Sequence, residues 1–266
     1  MPSRPEGPPP PPVVRRLRIR FAKRGRLRFL SHRDVARTFE RALRRAGVPM
    51  AYSAGFNPHP RISWVGAAAT GAASEAEYVE LALAEEGDPV ELGRDLDAAL
   101  PDGLDVLESV LAGPGSLPER IDGSAWRIRL PGLAPAAVAA AVEALLLREV
   151  FEVDRLTKAG KRRIDVRSAI VRMSVSDDES VRSAASRAVG PARNDTCAIL
   201  DLVVRHTTPA VRPDDVMTAL SAVADVAPPV PPEPTRLEQG RLREDGSLAD
   251  PLAPDRNGAG LPVSHV

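Results

Sequence analysis

Residues 17–45 read LRIRFAKRGRLRFLSHRDVARTFERALRR and contain two periodicities in succession. Leu17, Ile19 and Phe21 alternate with arginines, which is the two-residue period of a strand with one buried face and one face in water. Gly25 permits a turn with positive φ, and the apolar residues of 27–30 predict a returning strand. The stretch therefore begins with a predicted β-hairpin that carries arginines on one face.

A helix is predicted directly after this hairpin, from His32 to Ala46. Ser31 is placed to cap its first turn, with Asp34 three residues on in an abbreviated capping box, and Gly47 ends it. At about 100° per residue its apolar side chains fall on one stripe, which predicts a buried face. The opposite side carries five arginines: Arg33, Arg37, Arg41, Arg44 and Arg45.

The order of elements beyond this segment predicts an α+β fold. Hydropathy patterns after the helix indicate two strands, a second helix and a further strand, an order typical of a ferredoxin-like sandwich. Residues 15–112 are thus predicted to form an N-terminal lobe with a basic face. A partly similar order over residues 125–226 predicts a second ferredoxin-like, βαββαβ-type lobe, joined to the first by a linker at 113–124.

The two ends of the chain differ in composition from the middle. Many of the 27 prolines lie before residue 15 or after residue 226. Proline removes amide donors and resists both helices and central strands. Residues 1–14 and 227–266 are therefore predicted to be disordered, Pro-rich tails.

Charge is balanced overall but segregated along the chain. The 36 basic residues equal the 36 acidic ones, so net charge alone gives no reason to expect binding to nucleic acid or membrane. Between Arg15 and Arg45, however, thirteen basic residues face two acidic ones, a local net charge of about +11. Local fields rather than net charge steer anionic partners, so this segment predicts an anion-binding surface.

Cysteine usage and hydropathy bear on the compartment and on cofactors. Cys197 is the one cysteine, which fits a reducing, cytoplasmic location and cannot anchor an iron–sulfur cluster by itself. The N-terminus lacks the apolar stretch of a signal peptide, and no run is long enough to predict a membrane span. The sequence also lacks phosphate-loop, dinucleotide-binding and zinc-spacing motifs, so no metal or cofactor is expected.

The SHRD motif at the start of the predicted helix is a candidate site. His32 and Asp34 lie in the first turn, where free amides and the helix dipole favour an anion. His32 is a candidate to contact phosphate or transfer a proton, with Asp34 orienting its neighbours. In the alternative interpretation Ser31 and Asp34 simply cap the helix and His32 faces solvent.

The GFNPHPR segment, residues 55–61, is a second candidate site. Two prolines stiffen it, and Phe56, Asn57, His59 and Arg61 offer an aromatic ring and hydrogen-bonding groups. Such a loop could stack a base or hold a ligand. The alternative is a tight, rigid connector.

The arginine row on the predicted helix is the third candidate. Guanidinium groups spaced along one face could engage successive phosphates, and Arg16, Arg18 and Arg20 of the preceding strand could extend that surface. Binding of an anionic polymer, docking of an acidic protein and a merely solvated face all remain open. The full set of predicted binding residues is Lys23, Arg28, Arg33, Arg37, Arg41, Arg44, Arg45, Phe56, Asn57 and Arg61.

Four motifs together resemble a known family. FLSH at 29–32, ERALRRAG at 40–47, GFNPHP at 55–60 and EAEY at 75–78 are similar to the radical-SAM-linked protein family of unknown function, whose members are fused to radical SAM proteins or encoded beside them. The family usually has a hydrophobic residue where this chain has Arg33. The resemblance implies a radical SAM partner, which would supply the iron–sulfur cluster and S-adenosylmethionine.

Three functions are compatible with these observations. The first is an accessory protein that presents an anionic substrate such as RNA to a radical SAM partner. The second is an enzyme in which His32, Asp34 and His59 form an acid–base or metal site, which requires the helix start to lie near the GFNPHPR loop. The third is a protein-docking module for the radical SAM partner.

Overall fold

The computed structural model describes residues 12–157, 160–177 and 196–256. Within these ranges the chain forms eleven strands and five α-helices, which confirms the α+β class. It divides into two compact units. Unit 1 comprises the residues up to Arg120 together with those from Asp250 onward, and unit 2 comprises Ile121–Ala249. The predicted linker at 113–124 contains the first of these boundaries.

Unit 1 contains a four-stranded antiparallel sheet in the order β4-β1-β3-β2. The strands are β1 (Arg15–Lys23), β2 (Ile62–Val65), β3 (Ala73–Leu83) and β4 (Val106–Leu111). Two helices connect them, α1 (His32–Arg45) between β1 and β2, and α2 (Pro89–Ala99) between β3 and β4.

The core of unit 1 follows from the alternation in β1. Leu17, Ile19 and Phe21 are buried and belong to one cluster with the apolar stripe of α1, including Phe39 and Leu43. The arginines between them necessarily point to the other face of the sheet. One helix face and one sheet face thus close the core and leave the charged side chains outside it.

The predicted returning strand at 27–30 is wrong. Residues Gly25–Phe29 form a 3-10 helix in which Leu27 N donates to Arg24 O and Leu30 N donates to Leu27 O. Arg24 N is also used, since it donates to Gly103 O at 2.7 Å. The strands that pair with β1 are the more distant β3 and β4.

Unit 2 contains a five-stranded antiparallel sheet in the order β11-β10-β5-β9-β8. A separate hairpin is formed by β6 (Glu152–Thr157) and β7 (Gly160–Asp165). The helices are α3 (Pro135–Leu146) and α4 (Pro213–Ala224). The sheet strands are β5 (Gly123–Pro131), β8 (Ile170–Asp177), β9 (Cys197–Arg205), β10 (Glu233–Leu242) and β11 (Leu248–Ala249).

A pair of ferredoxin-like lobes is not confirmed. In unit 2 the strands after α3 form a hairpin off the main sheet, and a further strand enters the sheet from the predicted tail. This arrangement has no counterpart in the described residues of unit 1, so the expected similarity of the two lobes does not extend to their strand order.

The predicted disorder of 227–266 is wrong for residues 233–256. There β10 pairs with β5, β11 pairs with β10, and α5 (Ala253–Arg256) follows. The backbone packs closely here, because a Cβ on Gly240 would lie 1.9 Å from Ala249 O. Residues 1–11 and 257–266 of the predicted tails lie outside the described residues.

No helix in the described ranges has both the length and the apolar character needed to cross a membrane.

Candidate functional site

Five arginines on the outer side of α1 form the arginine face: Arg33, Arg37, Arg41, Arg44 and Arg45. All five are exposed, because the buried stripe of α1 fixes which side of the helix points to solvent. In the part of the chain that the structure describes, none of them forms an ion pair within 4.0 Å. Among the described residues, the side chains of this face form one hydrogen bond, in which Arg41 Nη2 donates to Thr38 Oγ1 at 3.2 Å.

The arginines of β1 do not extend this face, so that part of the prediction is wrong. The antiparallel pairing places Glu80 opposite Arg18, and Arg16 and Arg18 donate to its carboxylate at 2.9 and 2.8 Å. Arg20 Nε donates to Glu75 O at 2.8 Å. These side chains stabilise the outer face of the sheet and are already engaged.

Arg18 is also the centre of a buried ion network. Its guanidinium donates to both carboxylate oxygens of Asp255 at 3.0 Å. Arg120 donates to the same carboxylate at 2.8 Å, and Gly113 N at 2.9 Å. The Asp255 side chain is fully buried and that of Arg18 is 3% exposed. This network was not predicted, because Asp255 lies in the segment expected to be a disordered tail.

Lys23 lies in the interior rather than on the predicted binding surface. It is 3% exposed, and its Nζ donates to Ala68 O at 3.3 Å and to Ala69 O at 3.2 Å. Ala68 N in turn donates to Glu77 Oε2 at 3.1 Å. Lys23 therefore anchors the alanine-rich loop before β3 and is not part of the exposed surface.

Arg28 is half-buried beside an exposed aromatic ring. Its guanidinium carbon lies 4.9 Å from the ring centroid of Phe29, and its carbonyl oxygen accepts from Gly71 N at 2.8 Å. Its Nε is buried without a hydrogen-bond partner in the described residues. Arg28 thus lies at the start of α1, in contact with an aromatic side chain that faces solvent.

The SHRD motif acts as a helix cap in this structure. Ser31 Oγ donates to Asp34 Oδ2 at 2.6 Å, and Asp34 N donates to Ser31 Oγ at 3.3 Å. The hydroxyl hydrogen bond is the main cause that holds the pKa of Asp34 below its ordinary value, and the charges of Arg37 and Arg33 lower this pKa further. Asp34 is therefore an ionised capping residue at neutral pH.

His32 is exposed, and its ring meets the Trp64 ring edge-on with 5.3 Å between centroids. Trp64 also packs against Phe39 of α1, with 5.1 Å between centroids. These contacts place His32, the first residue of α1, against Trp64, the third residue of β2.

The GFNPHPR loop is closed by bonds at its base. Tyr52 pairs with Pro60 as an isolated bridge, Ser53 N donates to His59 O at 2.9 Å, and His59 N donates to Ser53 Oγ at 3.0 Å. Phe56 at the tip is 93% exposed. Asn57, His59 and Arg61 are exposed as well. The loop therefore presents its ring and polar groups to solvent on a narrow, closed base.

The loop lies at the end of the sheet where α1 finishes. Val48 N, just after α1, donates to Leu43 O, and Met50 then bridges Leu83 at the end of β3. On the other side of the loop, β2 begins with Ile62 opposite Leu81. Both flanks of the loop thus meet the sheet near the C-terminal end of α1.

The structure does not bring the three predicted catalytic residues into contact. His32 and Asp34 lie at the start of α1, whereas His59 belongs to the loop near its end. Among the residues described, no hydrogen bond, ion pair or ring contact joins His59 to the other two. Over the same ranges there is no group of three or more His, Cys, Asp or Glu side chains arranged to hold a metal ion.

A groove of about 610 Å³ in unit 1 is separate from these residues. Its lining includes Arg15, Arg16 and Arg18, together with Glu80 and the chain from Ala112 to Pro118. These arginines are paired, Arg15 with Glu86 at 3.2 Å and the other two with Glu80. No residue of α1 or of the GFNPHPR loop lines the groove.

Fold and surface together define a mixed α+β protein with an exposed cationic helix. The chain belongs to the family described as "Uncharacterized protein conserved in bacteria (DUF2344)", which matches residues 16–213. The match includes α1 and the GFNPHPR loop and ends at the first residue of α4. Among curated proteins, none matches the chain. The family description states no partner and no reaction, so the radical SAM link stays a prediction.

Proposed function

We propose that this protein is a cytoplasmic accessory protein that binds RNA through the arginine face and the GFNPHPR loop and presents it to a radical SAM enzyme. The observation that carries the proposal is the set of five exposed guanidinium groups on α1 that form no ion pair within 4.0 Å among the described residues. Guanidinium groups bind phosphate oxygens in bidentate geometry, and they keep their charge at all physiological pH values.

The placement of the acidic residues favours a ligand over a merely solvated face. Three carboxylates of unit 1 are engaged by arginines outside α1: Glu80 by Arg16 and Arg18, and Glu75 and Asp105 by Arg24. The arginine face keeps its charge density over a helix of 14 residues, about 20 Å in length. A polyanion is the class of ligand whose charge repeats over such a distance.

The radical SAM part of the proposal rests on the resemblance and on the cysteine count. With Cys197 as its single cysteine, a buried residue of β9, the chain has too few thiolates to hold an iron–sulfur cluster. The cluster and S-adenosylmethionine would therefore belong to the partner, and this chain would act in trans.

Filter binding of RNA at several salt concentrations tests the RNA-binding part. Wild-type affinity should fall as salt rises, because bound arginines displace counterions from phosphates. The variant Arg37→Glu/Arg41→Glu/Arg44→Glu should fold and lose at least tenfold in affinity. Its slope of log affinity against log salt should flatten by about two, since three phosphate contacts are lost at roughly 0.7 each.

A matched control separates the arginine face from net charge. The variant Arg148→Glu/Arg162→Glu/Arg172→Glu changes net charge equally at exposed positions of unit 2. It should keep the wild-type salt slope. An equal loss in this control, or wild-type binding that does not depend on salt, would remove the proposal.

Capture of partners from native lysate, with and without nuclease, tests the accessory role. A protein that carries an iron–sulfur cluster and binds S-adenosylmethionine should be recovered with the chain. If partner capture requires the arginine face and persists after nuclease treatment, and the protein has no affinity for RNA, then the face docks a protein and the RNA-binding part of the proposal is wrong.

A further inference from the structure

Aromatic residues are scarce in this chain, and two of them are exposed. The sequence has five phenylalanines, two tyrosines and two tryptophans. Phe21 and Phe39 are in the core, as expected for a side chain of this size. Phe29 and Phe56, by contrast, are 59% and 93% exposed. Two of the few aromatic side chains of this protein are therefore exposed to solvent and do not contribute to its core.

Both exposed rings lie on constrained segments. Phe29 ends the 3-10 helix, where the Arg28 guanidinium lies over its ring and Arg28 O is bonded to Gly71 N. Phe56 is at the tip of a loop closed by the reciprocal bonds of Ser53 and His59, with prolines at 58 and 60. Little conformational entropy is therefore lost when a flat ligand stacks on either ring.

The segments that carry the two rings lie near opposite ends of α1. Phe29 precedes the N-cap residue Ser31 by two positions, at the N-terminal end of α1. Phe56 belongs to the loop whose flanks meet the sheet near the C-terminal end of α1. The arginine face lies along the helix that connects these two ends.

We infer that the RNA is bound as an unpaired strand, with phosphates on the arginine face and bases stacked on Phe29 and Phe56. This inference rests on the proposed function and names the kind of RNA. Base faces in a duplex are covered by neighbouring base pairs, whereas a single strand can turn them onto protein rings. Arginines with interleaved or flanking aromatic rings are the combination by which proteins hold single strands without reading their sequence.

Fluorescence anisotropy with an oligo(U) strand and with a perfect RNA duplex of equal length tests the inference. Wild type should bind the single strand at least tenfold more tightly than the duplex. Phe29→Ala/Phe56→Ala should lose at least tenfold in affinity for oligo(U), with the salt slope unchanged because no charge is removed. Duplex affinity should stay within twofold of wild type.

Matched variants separate stacking from loss of any exposed apolar side chain. Leu147 and Leu156 in unit 2 are 84% and 82% exposed, so Leu147→Ala/Leu156→Ala should bind oligo(U) like wild type. Phe29→Tyr/Phe56→Tyr keeps both rings and should also bind like wild type. If the alanine pair at 29 and 56 binds as tightly as wild type, or the tyrosine pair as weakly as the alanine pair, stacking is refuted.

A spectroscopic readout tests direct contact. In Phe56→Trp the new indole should be quenched by oligo(U), over the background of Trp64 and Trp126, and not by heparin, which has charge without bases. If the wild-type protein binds duplex and single strand equally tightly, and both affinities depend on salt, this inference is wrong and the proposed function still stands. Absence of any salt-dependent RNA binding instead removes the proposed function itself.

Discussion

Arg18 and Arg37 are the same residue type in opposite surroundings. Arg18 is buried on β1 and its guanidinium is shared between Glu80 and Asp255. Arg37 is exposed on α1 without a carboxylate within ion-pair distance among the described residues. Removal of the charge should therefore affect stability at position 18 and ligand binding at position 37.

Asp255→Asn should destabilise the protein by about 3 kcal/mol, because removal of one partner leaves buried guanidinium charge poorly compensated. Arg18 would keep Glu80, and the amide oxygen of asparagine can still accept from Gly113 N. Urea denaturation at neutral pH, followed by circular dichroism, measures the change.

The control is Asp95→Asn, which breaks the exposed Arg94–Asp95 pair. Exposed pairs contribute less than about 1 kcal/mol, so this variant should be close to wild type. Equal stability of the two variants would contradict a stabilising role for the buried network.

At the residue scale, the sequence predicted the types of side chain but not their partners. The helical period placed Arg37, Arg41 and Arg44 on one outer face, and the structure agrees. The strand period placed Arg18 away from the core, but nothing local shows that Glu80 and Asp255 lie opposite it. Those partners are 62 and 237 positions away along the chain, so only the folded structure identifies them.

At the element scale, α1 could be predicted almost completely. Its cap, its buried stripe and its length are local properties, and the helix observed at His32–Arg45 differs from the prediction by one residue. The 3-10 helix at Gly25–Phe29 could not be predicted in this way. The amide of Arg24, the residue before it, donates a hydrogen bond to Gly103 O, which is far along the chain. Local pattern is thus reliable where the stabilising bonds are local.

Ser31→Ala should lower the free energy of unfolding by about 1 kcal/mol, because the first turn of α1 loses its capping hydroxyl. The pKa of Asp34 should rise toward its ordinary value, since the hydrogen bond from Ser31 is the main cause of its depression. Urea denaturation measures the first effect and NMR titration of the Asp34 carboxyl the second.

Ser31→Thr keeps the hydroxyl and serves as the control. It should retain both the stability and the low pKa of Asp34. An unchanged titration in Ser31→Ala would show that the cap does not set the charge state of this carboxyl.

At the scale of the whole molecule, net charge and charge distribution carry different information. Basic and acidic residues are equal in number, yet Glu80 and Glu75 pair with arginines outside α1, and α1 itself has five arginines against two carboxylates. Composition could indicate the basic segment but not which half of it is neutralised. The α+β class, by contrast, could be predicted from the sequence, because it depends on the order of helices and strands along the chain and not on which residues pair.

Acid should lower the free energy of unfolding, in part because Asp255 becomes protonated. Burial raises the pKa of this carboxyl, but hydrogen bonds from Arg120, Arg18 and Gly113 outweigh burial and hold the pKa below its ordinary value of 3.8. A depressed folded-state pKa contributes stability above the unfolded-state pKa, and this contribution is lost as pH falls through the folded value. The stability difference between wild type and Asp255→Asn should therefore shrink from about pH 5 down to pH 3.

Urea denaturation across that pH range measures the difference. Asp95→Asn again serves as the comparison, and its offset from wild type should stay nearly constant. A difference for Asp255→Asn that does not shrink with acid would exclude this carboxyl as a source of acid sensitivity.

The carboxylate of Asp255 has a consequence for synthesis on the ribosome. Unit 1 needs a group that is translated after all of Ile121–Ala249, so its first 120 residues emerge long before Asp255 can join Glu80 as a partner of the buried Arg18. At roughly 5–20 residues per second, that interval lasts on the order of ten seconds. During that interval Arg18 and Arg120 lack the Asp255 carboxylate, so the nascent N-terminal portion is incompletely closed and accessible to chaperones.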